Sequence, residues 1–383
     1  MKFIRTKHLV FIGAILFPCF VFSCKQSLKA KERIPVIYST DLYHPPQDPD
    51  DHYDLAILSS LEELEIKALI FDVATSFRKP EEFGKIALDQ MEKITGKSAP
   101  PWKVGLTQPL RSPDDKAYDQ PEEFQAGVEL ILSTLKKSDV PVVMFMVGSC
   151  RDFAVAFNRD PDLLRQKVKA VYVNAGNGRK GTQDEWNVKL DANAYMRLMS
   201  SGLPIYWCPC IVDAEQLSTP EEVLEGKVLC TYFRVFNQAE LLKTARPMVK
   251  NFFAYALNRS EEEPLDFLDK EPQPLPETRR NMWCTGPFLH AAGREIYRNK
   301  DNRWIARSPN NVQQYEVNSP AVEVFRFEPI HITAVWKDVN GNLVPEFRDA
   351  ADTEPTSIQV FRYTHVDYNQ IMTSVLADLF TFL

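Results

Sequence analysis

The run Ile34-Pro35-Val36-Ile37-Tyr38-Ser39-Thr40-Asp41 is followed by Asp48-Pro49-Asp50-Asp51 and Leu55-Ala56-Ile57-Leu58, and these three segments decide how the rest of the sequence is interpreted. The first predicts a buried strand and the last a helix. Between them, four carboxylates fall within eleven residues, and like charges so close repel one another. Hard cations such as Ca²⁺ and Mg²⁺ bind oxygen ligands. We therefore expect a metal-binding segment at the carboxyl end of the first strand.

Helix capping is an alternative explanation for part of this cluster. A carboxylate at a helix N-terminus is stabilised by the helix dipole, by about 0.3–1 kcal/mol, so Asp50 or Asp51 can serve as a cap. Four carboxylates exceed what one cap needs, which favours the metal. Asp54 falls inside the helix, where we expect it to face solvent.

Strands and helices alternate along the chain up to about residue 215. The predicted strands are 34–38, 66–73, 140–147, 168–174 and 204–212, and the predicted helices are 55–64, 80–95, 121–136, 152–158, 161–167 and 192–201. This alternation predicts an α/β fold with a mostly parallel sheet and helices on both faces. Ligands bind such sheets at the carboxyl ends of the strands, here segments 41–51, 148–152 and 174–187.

The pattern weakens in the C-terminal part. Helices are predicted over 229–257, over 282–297 and from 368 onward, strands over 330–335 and 358–363, and an acidic, proline-rich loop over 261–277. The late strands either extend the main sheet or form a small subdomain. We expect one continuous domain over 34–383.

Residues 1–24 have the composition of an export signal. Lys2, Arg5 and Lys7 precede an apolar stretch, 9–22, that is short for a membrane span, and the segment ends in Ser23-Cys24. This resembles a bacterial lipoprotein signal, which implies lipidation at Cys24, a linker over 25–33, and anchoring at the outer membrane or in the periplasm. An ordinary cleaved signal with an incidental Cys, or an internal membrane anchor, are the alternatives.

Charge and cysteine content narrow the class of protein. The formal net charge is −7 with no long basic run, so we expect no nucleic-acid partner. Five cysteines follow the signal, and Cys208-Pro209-Cys210 is too tight for an easy mutual disulfide. We expect most of them to be buried thiols. A disulfide between distant cysteines is the alternative, because an exported protein meets an oxidising compartment.

The order of the motifs resembles the inosine–uridine-preferring nucleoside hydrolases over roughly residues 34–213. Their N-terminal motif is matched by Ser39-Thr40-Asp41, Asp50-Asp51 and Leu55-Ala56-Ile57, although 43–48 lengthen the gap. Further matches follow in order: the loop from Gly148 to Ala154, the strand end Val171 to Gly176, and Glu185-Trp186-Asn187 with Asp191.

The resemblance implies particular roles for these residues. A Ca²⁺ ion is expected to be held by Asp41, Asp50, Asp51 and the backbone carbonyl of Arg151, with Asp41 also taking a proton from the attacking water. Ribose hydroxyls are expected to bind Asn174, Glu185 and Asn187.

The C-terminal part departs from the family pattern. Thr285-Gly286 stand where the family has a His-Asp pair that completes the metal site and can assist the leaving group. Asp48, inside the longer loop, is our candidate for the missing carboxylate. His290, a turn further on, either faces the substrate or packs in the fold. His44 and His52 flank the Asp cluster and either contact the leaving group or serve the loop.

The resemblance implies metal-dependent hydrolysis of the N-glycosidic bond of a ribonucleoside or related riboside. The alternatives are a non-catalytic, Ca²⁺-dependent surface lipoprotein that binds ribosides or other sugars, and a hydrolase of a different glycoside. Gly176, Gly178 and Gly181 have dinucleotide-binding spacing, but a polar run follows them instead of an apolar helix. A homo-oligomer stays open.

Overall fold

The apolar run after residue 33 forms a strand, β1 (Ile34–Thr40), inside a large sheet. A computed structural model describes residues 33–46, 48–73, 84–177, 185–210, 219–313, 316–337, 343–349 and 356–383. The predicted signal peptide, with Cys24, and the linker up to residue 32 lie outside these ranges. Six of the seven residues of β1 are buried, as expected for a strand that is covered on both faces.

The main sheet has nine strands within the described residues. Seven lie side by side and run parallel, in the order β13-β6-β5-β4-β1-β2-β3, and β11 and β12 add antiparallel strands beyond β13. The remaining strands are β2 (Leu64–Phe71), β3 (Trp102–Val104), β4 (Val142–Met146), β5 (Val168–Val173), β6 (Ile205–Trp207), β11 (Phe325–Lys337), β12 (Leu343–Asp349) and β13 (Ile358–Tyr363). Two short antiparallel pairs join β7 (Phe233–Val235) to β8 (Arg280–Met282) and β9 (Glu295–Arg298) to β10 (Trp304–Arg307).

Thirteen α-helices connect these strands in the described ranges. They are α1 (Asp50–Ser60), α2 (Lys85–Thr95), α3 (Ala126–Lys137), α4 (Arg151–Arg159), α5 (Pro161–Lys167), α6 (Trp186–Leu190), α7 (Ala192–Met199), α8 (Pro220–Leu224), α9 (Gln238–Leu241), α10 (Pro247–Leu257), α11 (Pro264–Leu268), α12 (Thr285–Ala291) and α13 (Tyr368–Leu379).

The sheet separates two hydrophobic cores. Tyr38 and Phe145 belong to the core shared with α1, α10, α12 and α13, whereas Ile37 and Met146 belong to the one shared with α3, α4 and α7. Neighbouring residues of a strand thus point to opposite faces, and each face is covered by helices. The predicted α/β class, mostly parallel with helices on both faces, is confirmed.

The strand register sets the carboxyl ends of the central strands level with one another. Ser39 pairs with Met146 across β1 and β4, and Met146 pairs with Val173 across β4 and β5. Val173 in turn pairs with Trp207 of β6. The residues that follow these strands therefore emerge along one edge, where the sequence predicts the ligand site.

Several predicted elements differ from those in the structure. The region 229–257 is not mainly helical at its start, because it contains β7 before α9 and α10. The helix predicted over 282–297 ends at Ala291 and is followed by β9. The first helix begins at Asp50, earlier than predicted, and the late strands β11 and β13 extend the main sheet.

Residues Arg33–Leu383 form one compact unit. Its five cysteines are free, and all but Cys210 are buried, as predicted for most of them. Within the described ranges, no helix has both the length and the apolar character needed to cross a membrane.

Candidate functional site

The carboxylate cluster lies where β1 gives way to α1. Asp41 follows the last residue of β1, and Asp50 and Asp51 are the first two residues of the helix. Asp54 lies one turn further on and is only 2% exposed, so the prediction that it faces solvent is wrong. The reason is that α1 is buried on nearly all sides instead of one.

The cluster is electrostatically unfavourable without a counter-charge. Burial raises the pKa of Asp50 and of Asp51 well above the usual range, and repulsion from the neighbouring carboxylates, Asp41 and Asp54 among them, raises both further. Burial also raises the pKa of Asp54 to about 7. A divalent cation removes this repulsion, so the charge and the oxygen donors both suit a hard metal ion.

Protein groups already satisfy part of the cluster. The Thr40 hydroxyl donates to Asp51, and the Cys284 thiol donates to Asp54, whose Oδ1 is buried without a partner among the described residues. Asp48 is 54% exposed and lies 2.8 Å from Nη1 of Arg280. A metal ion would compete with this guanidinium for Asp48, which weakens Asp48 as the replacement ligand.

The described residues do not form a ready-made metal cage. Among them, no group of three or more His, Cys, Asp or Glu side chains is arranged to hold a metal ion. Asp41, Asp50 and Asp51 are neighbours by charge and sequence without converging on one point. The charge and the oxygen donors of these residues suit a hard cation, but their positions would have to shift for the carboxylates to meet one ion.

The second predicted group lies at the end of β5. Glu185 caps α6, where its carboxylate accepts hydrogen bonds from the backbone of Asn187 at 3.0 Å and of Gly176 at 3.0 Å. Burial raises the pKa of Glu185 to about 7. The side-chain amide of Asn187 donates to the carbonyls of Val147 and Asn174, both at 2.9 Å. Because both amide hydrogens are used, a ligand would meet only the acceptor oxygen of Asn187.

Asn174 is the unsatisfied member of this group. Its side chain is 2% exposed, and within the described part of the chain neither its amide nitrogen nor its amide oxygen has a hydrogen-bond partner. An amide in that state costs about 1–3 kcal/mol per unmade hydrogen bond. A buried amide with both functions unused indicates a polar ligand at this point of the edge.

The side chain of Arg151 has a structural role. It is 2% exposed and donates from Nε to Asp191 at 3.1 Å, from Nη1 to the Leu106 carbonyl at 2.8 Å and from Nη2 to the Leu190 carbonyl at 3.0 Å. It thereby joins the start of α4 to the loop before α7. The predicted metal contact would use the backbone carbonyl of Arg151, and the contacts of the guanidinium do not involve that carbonyl.

The loop that precedes Arg151 is shaped by a close contact. Asp72 accepts hydrogen bonds from the backbone and the hydroxyl of Ser149, both at 2.7 Å. A Cβ at Gly148 would lie 2.6 Å from Asp72 Oδ2, so only glycine lets the β4 loop approach the end of β2 this closely.

Thr285 and Gly286, where the resemblance leads us to expect a His-Asp pair, are both in the core. Thr285 is fully buried, with its hydroxyl unpartnered among the described residues. Gly286 faces the core, because an added Cβ would lie 2.9 Å from the ring of Phe361. A carboxylate at position 286 would therefore meet the ring of Phe361.

The three histidines considered in the sequence lie in packed surroundings. Nδ1 of His290 is 2.7 Å from the Tyr172 hydroxyl, and its ring contacts Tyr206 and Phe327. Burial lowers the pKa of His290 to about 4. His44 stacks on Tyr255 and His52 packs on Phe252, both on α10. These contacts favour packing roles.

Sequence reasoning missed two residues that border the carboxylate cluster. Arg280 and Cys284 meet Asp48 and Asp54 respectively, although each lies more than 200 residues away in the chain. Only the position of Cys284 directly before Thr285-Gly286 was a usable signal. Arg280 carried none, because its strand has three residues.

Comparison with known proteins agrees with this architecture. No protein-family model matches the chain. The chain is 29% identical over 135 residues to a pyrimidine-specific ribonucleoside hydrolase, RihA, of Enterobacter sp. (strain 638); the match spans 35% of this chain and 39% of the relative. A plant nucleoside hydrolase, the PpNRh1 enzyme, superimposes with a TM-score of 0.51 at 13% identity, covering 91% of this chain and 99% of its own. An inosine–uridine-preferring nucleoside hydrolase from Bacillus anthracis gives a TM-score of 0.46 at 12% identity, with 91% and 100% covered.

The fold is therefore that of a nucleoside hydrolase. The predicted resemblance to the inosine–uridine-preferring nucleoside hydrolases is confirmed: the chain shares the fold of a nucleoside hydrolase, and 135 of its residues align with the sequence of a ribonucleoside hydrolase.

Proposed function

We propose that this protein hydrolyses the N-glycosidic bond of a ribonucleoside or related riboside at the carboxyl edge of its sheet. The observation that carries the proposal is the buried, unpartnered amide of Asn174 beside Glu185 and Asn187. An amide that can both donate and accept suits the vicinal hydroxyls of a ribose. The carboxylates after β1 lie along the same edge, at the end of the strand next but one to β5.

The reaction needs a water molecule to attack C1′ of the ribose. The C1′–N bond breaks with its electron pair on the base nitrogen, and a C1′–O bond forms. Asp41 takes the proton that the water loses, and the nearby carboxylates stabilise the positive charge that develops on the sugar. The base nitrogen gains a proton from solvent, so the products are ribose and the free base.

A Ca²⁺ ion is part of this proposal. Asp41, Asp50, Asp51 and the backbone carbonyl of Arg151 are the residues that would hold it. A bound divalent cation lowers the pKa of a water molecule and polarises oxygen atoms. The raised pKa values of Asp50 and Asp51 support the proposal, because both carboxylates gain from a neighbouring positive charge.

Riboside hydrolysis tests the proposal directly. The purified protein is incubated with Ca²⁺ and inosine, uridine or p-nitrophenyl riboside, and released ribose is measured. We expect turnover by the wild type and a loss of at least about 100-fold in Asn174→Ala, while the exposed Asn311→Ala control keeps full activity. Absence of turnover on every riboside would contradict the hydrolase, and full activity in Asn174→Ala would contradict the binding role of Asn174. Ca²⁺-dependent ribose binding without turnover would point to the non-catalytic alternative.

The metal is tested separately. Ca²⁺ is expected to raise the melting temperature of the wild type and of Asp162→Asn, whose carboxylate is exposed, but not that of Asp51→Asn. An equal Ca²⁺ shift in Asp51→Asn would show that the ion binds elsewhere.

We further propose that the protein is exported and anchored by a lipid at Cys24. The support is the sequence of residues 1–24 alone. Cell fractionation compares the full chain with Cys24→Ser. The wild type is expected with the membranes and the variant in the soluble fraction; a wild type in the soluble fraction would exclude the lipid anchor, and membrane association of both would favour the apolar stretch 9–22 as the anchor.

A further inference from the structure

The proposed reaction leaves the departing base without an obvious acid. Thr285 and Gly286 occupy the expected position of a His-Asp pair, and the Gly286 backbone faces Phe361 in the core. Negative charge that builds on the base nitrogen as the C1′–N bond breaks must be stabilised by another group. A fixed cation near the carboxylate cluster is one way to do so.

Arg280 is such a cation. Its side chain is 19% exposed, its Nη1 lies 2.8 Å from Asp48, and its Nε is buried without a partner among the described residues. The charge of Arg280 also acts on the buried hydroxyl of Tyr53, on α1. It lowers the pKa of Tyr53, although burial raises that pKa by more. The guanidinium therefore lies near the start of the helix that carries Asp50 and Asp51, two residues from its partner Asp48.

The partner of Arg280 is replaceable. Asp48 is 54% exposed, so its carboxylate regains water readily when it leaves the guanidinium. The backbone of Arg280 stays fixed in β8, where it pairs with Val235 of β7. An anion that arrives at the guanidinium can thus exchange with Asp48 while Arg280 keeps its position.

We propose that Arg280 is a catalytic residue that stabilises the departing base, an inference that rests on the hydrolase function proposed above. During bond cleavage, the guanidinium leaves the carboxylate of Asp48 and donates hydrogen bonds to the departing base, where negative charge collects. Arg280 donates hydrogen bonds without losing a proton, since a guanidinium stays charged in proteins. The base nitrogen then takes its proton from solvent, and water supplies the hydroxyl at C1′.

The test compares two leaving groups in Arg280→Gln. Uracil leaves as a poor anion that needs stabilisation, whereas p-nitrophenolate is a stable anion that leaves without help. We expect kcat for uridine to fall on the order of 100-fold, as for loss of one donor to a developing anion, with kcat for p-nitrophenyl riboside lowered by less than about threefold. Arg280→Lys keeps the charge and is expected to recover part of the uridine activity. The neighbouring, exposed Arg279→Gln is the matched control and should leave both activities unchanged.

Each other outcome overturns the inference. An equal loss on both substrates would mean that Arg280 serves only to hold Asp48 and the loop, and no loss on either would mean that it has no role in the reaction. Retained p-nitrophenyl riboside turnover in Arg280→Gln shows at the same time that the variant is folded. A wild-type protein inactive on both substrates would instead overturn the hydrolase function, and this inference with it.

Discussion

The two walls of the candidate site are built in different ways. One consists of residues that follow β1, β4 and β5, which are long, parallel and paired in register. The other consists of β7, β8 and α12, where the strands have three residues each and the contacts to the carboxylates come from single side chains. The first wall carries the residues on which the sequence resemblance rests, and the second does not. A site can thus preserve the residues set by its sheet while the opposite wall changes.

The largest effect on stability is expected from a substitution of Arg151, on the first wall. Arg151→Met leaves Asp191 and the neighbouring Asp72 without their buried counter-charge, so we expect a loss of about 3–5 kcal/mol in the free energy of unfolding. Urea denaturation measures it, with the exposed Arg165→Met as control, for which less than about 1 kcal/mol is expected. A small loss in both variants would show that the buried network does not stabilise this wall.

A pH-dependent effect is expected at Asp54. Its pKa of about 7 in the folded state exceeds the usual value, so the folded protein holds a proton that the unfolded chain releases between about pH 4 and pH 7. This costs the folded state stability as the pH rises through that window, and the cost is complete above pH 7. Asp54→Asn removes it. In EDTA, the variant should exceed the wild type by roughly 2–4 kcal/mol at pH 8 and by much less at pH 5.

Urea denaturation at the two pH values measures this difference. Loss of the Asp54 charge also relieves the repulsion on Asp50 and Asp51, which adds to the advantage of the variant at pH 8. The exposed Asp162→Asn serves as control and should show no pH-dependent gain. An advantage of Asp54→Asn that is the same at pH 5 and pH 8 would contradict a raised pKa at Asp54.

On the second wall, we expect position 286 to have no room for a metal-binding side chain. Gly286→Ala places a methyl group 2.9 Å from the Phe361 ring, which should destabilise the protein by about 1–3 kcal/mol. In the double variant with Phe361→Leu, the smaller side chain should remove part of the penalty of Gly286→Ala. Additive effects in this double-mutant cycle would argue that the two residues do not meet.

The smallest effect is expected at His290. His290→Phe loses the hydrogen bond to Tyr172 but keeps the aromatic packing, so we expect a loss of about 0.5–1.5 kcal/mol in stability and little change in KM for uridine. Thermal unfolding and steady-state kinetics measure the two quantities. A rise in KM of tenfold or more without loss of stability would support the substrate-binding role predicted from the sequence.

The success of the sequence analysis follows the same division. Strands such as β4 are continuous apolar runs, so the sequence predicts their order and shows which residues follow them. Asp54 was misjudged because a helix buried all round has no polar face to reveal its surroundings. Arg280 could not be found, because strands of three residues are shorter than any periodic pattern and its partner Asp48 is remote in the chain. The unsatisfied amide of Asn174 becomes visible only in three dimensions.

The burial of α1 also has a bearing on how such a protein can evolve. Eight consecutive residues, 51–58, are buried in this helix, which carries Asp50 and Asp51 at its start. A change that tunes the carboxylates there also disturbs the core, so mutational tolerance is low. Arg280 on β8 and its partner Asp48, in the loop before α1, are by contrast partly exposed. Libraries that vary these positions should yield folded proteins with new leaving-group preferences, whereas libraries over 51–58 should yield mostly unfolded ones.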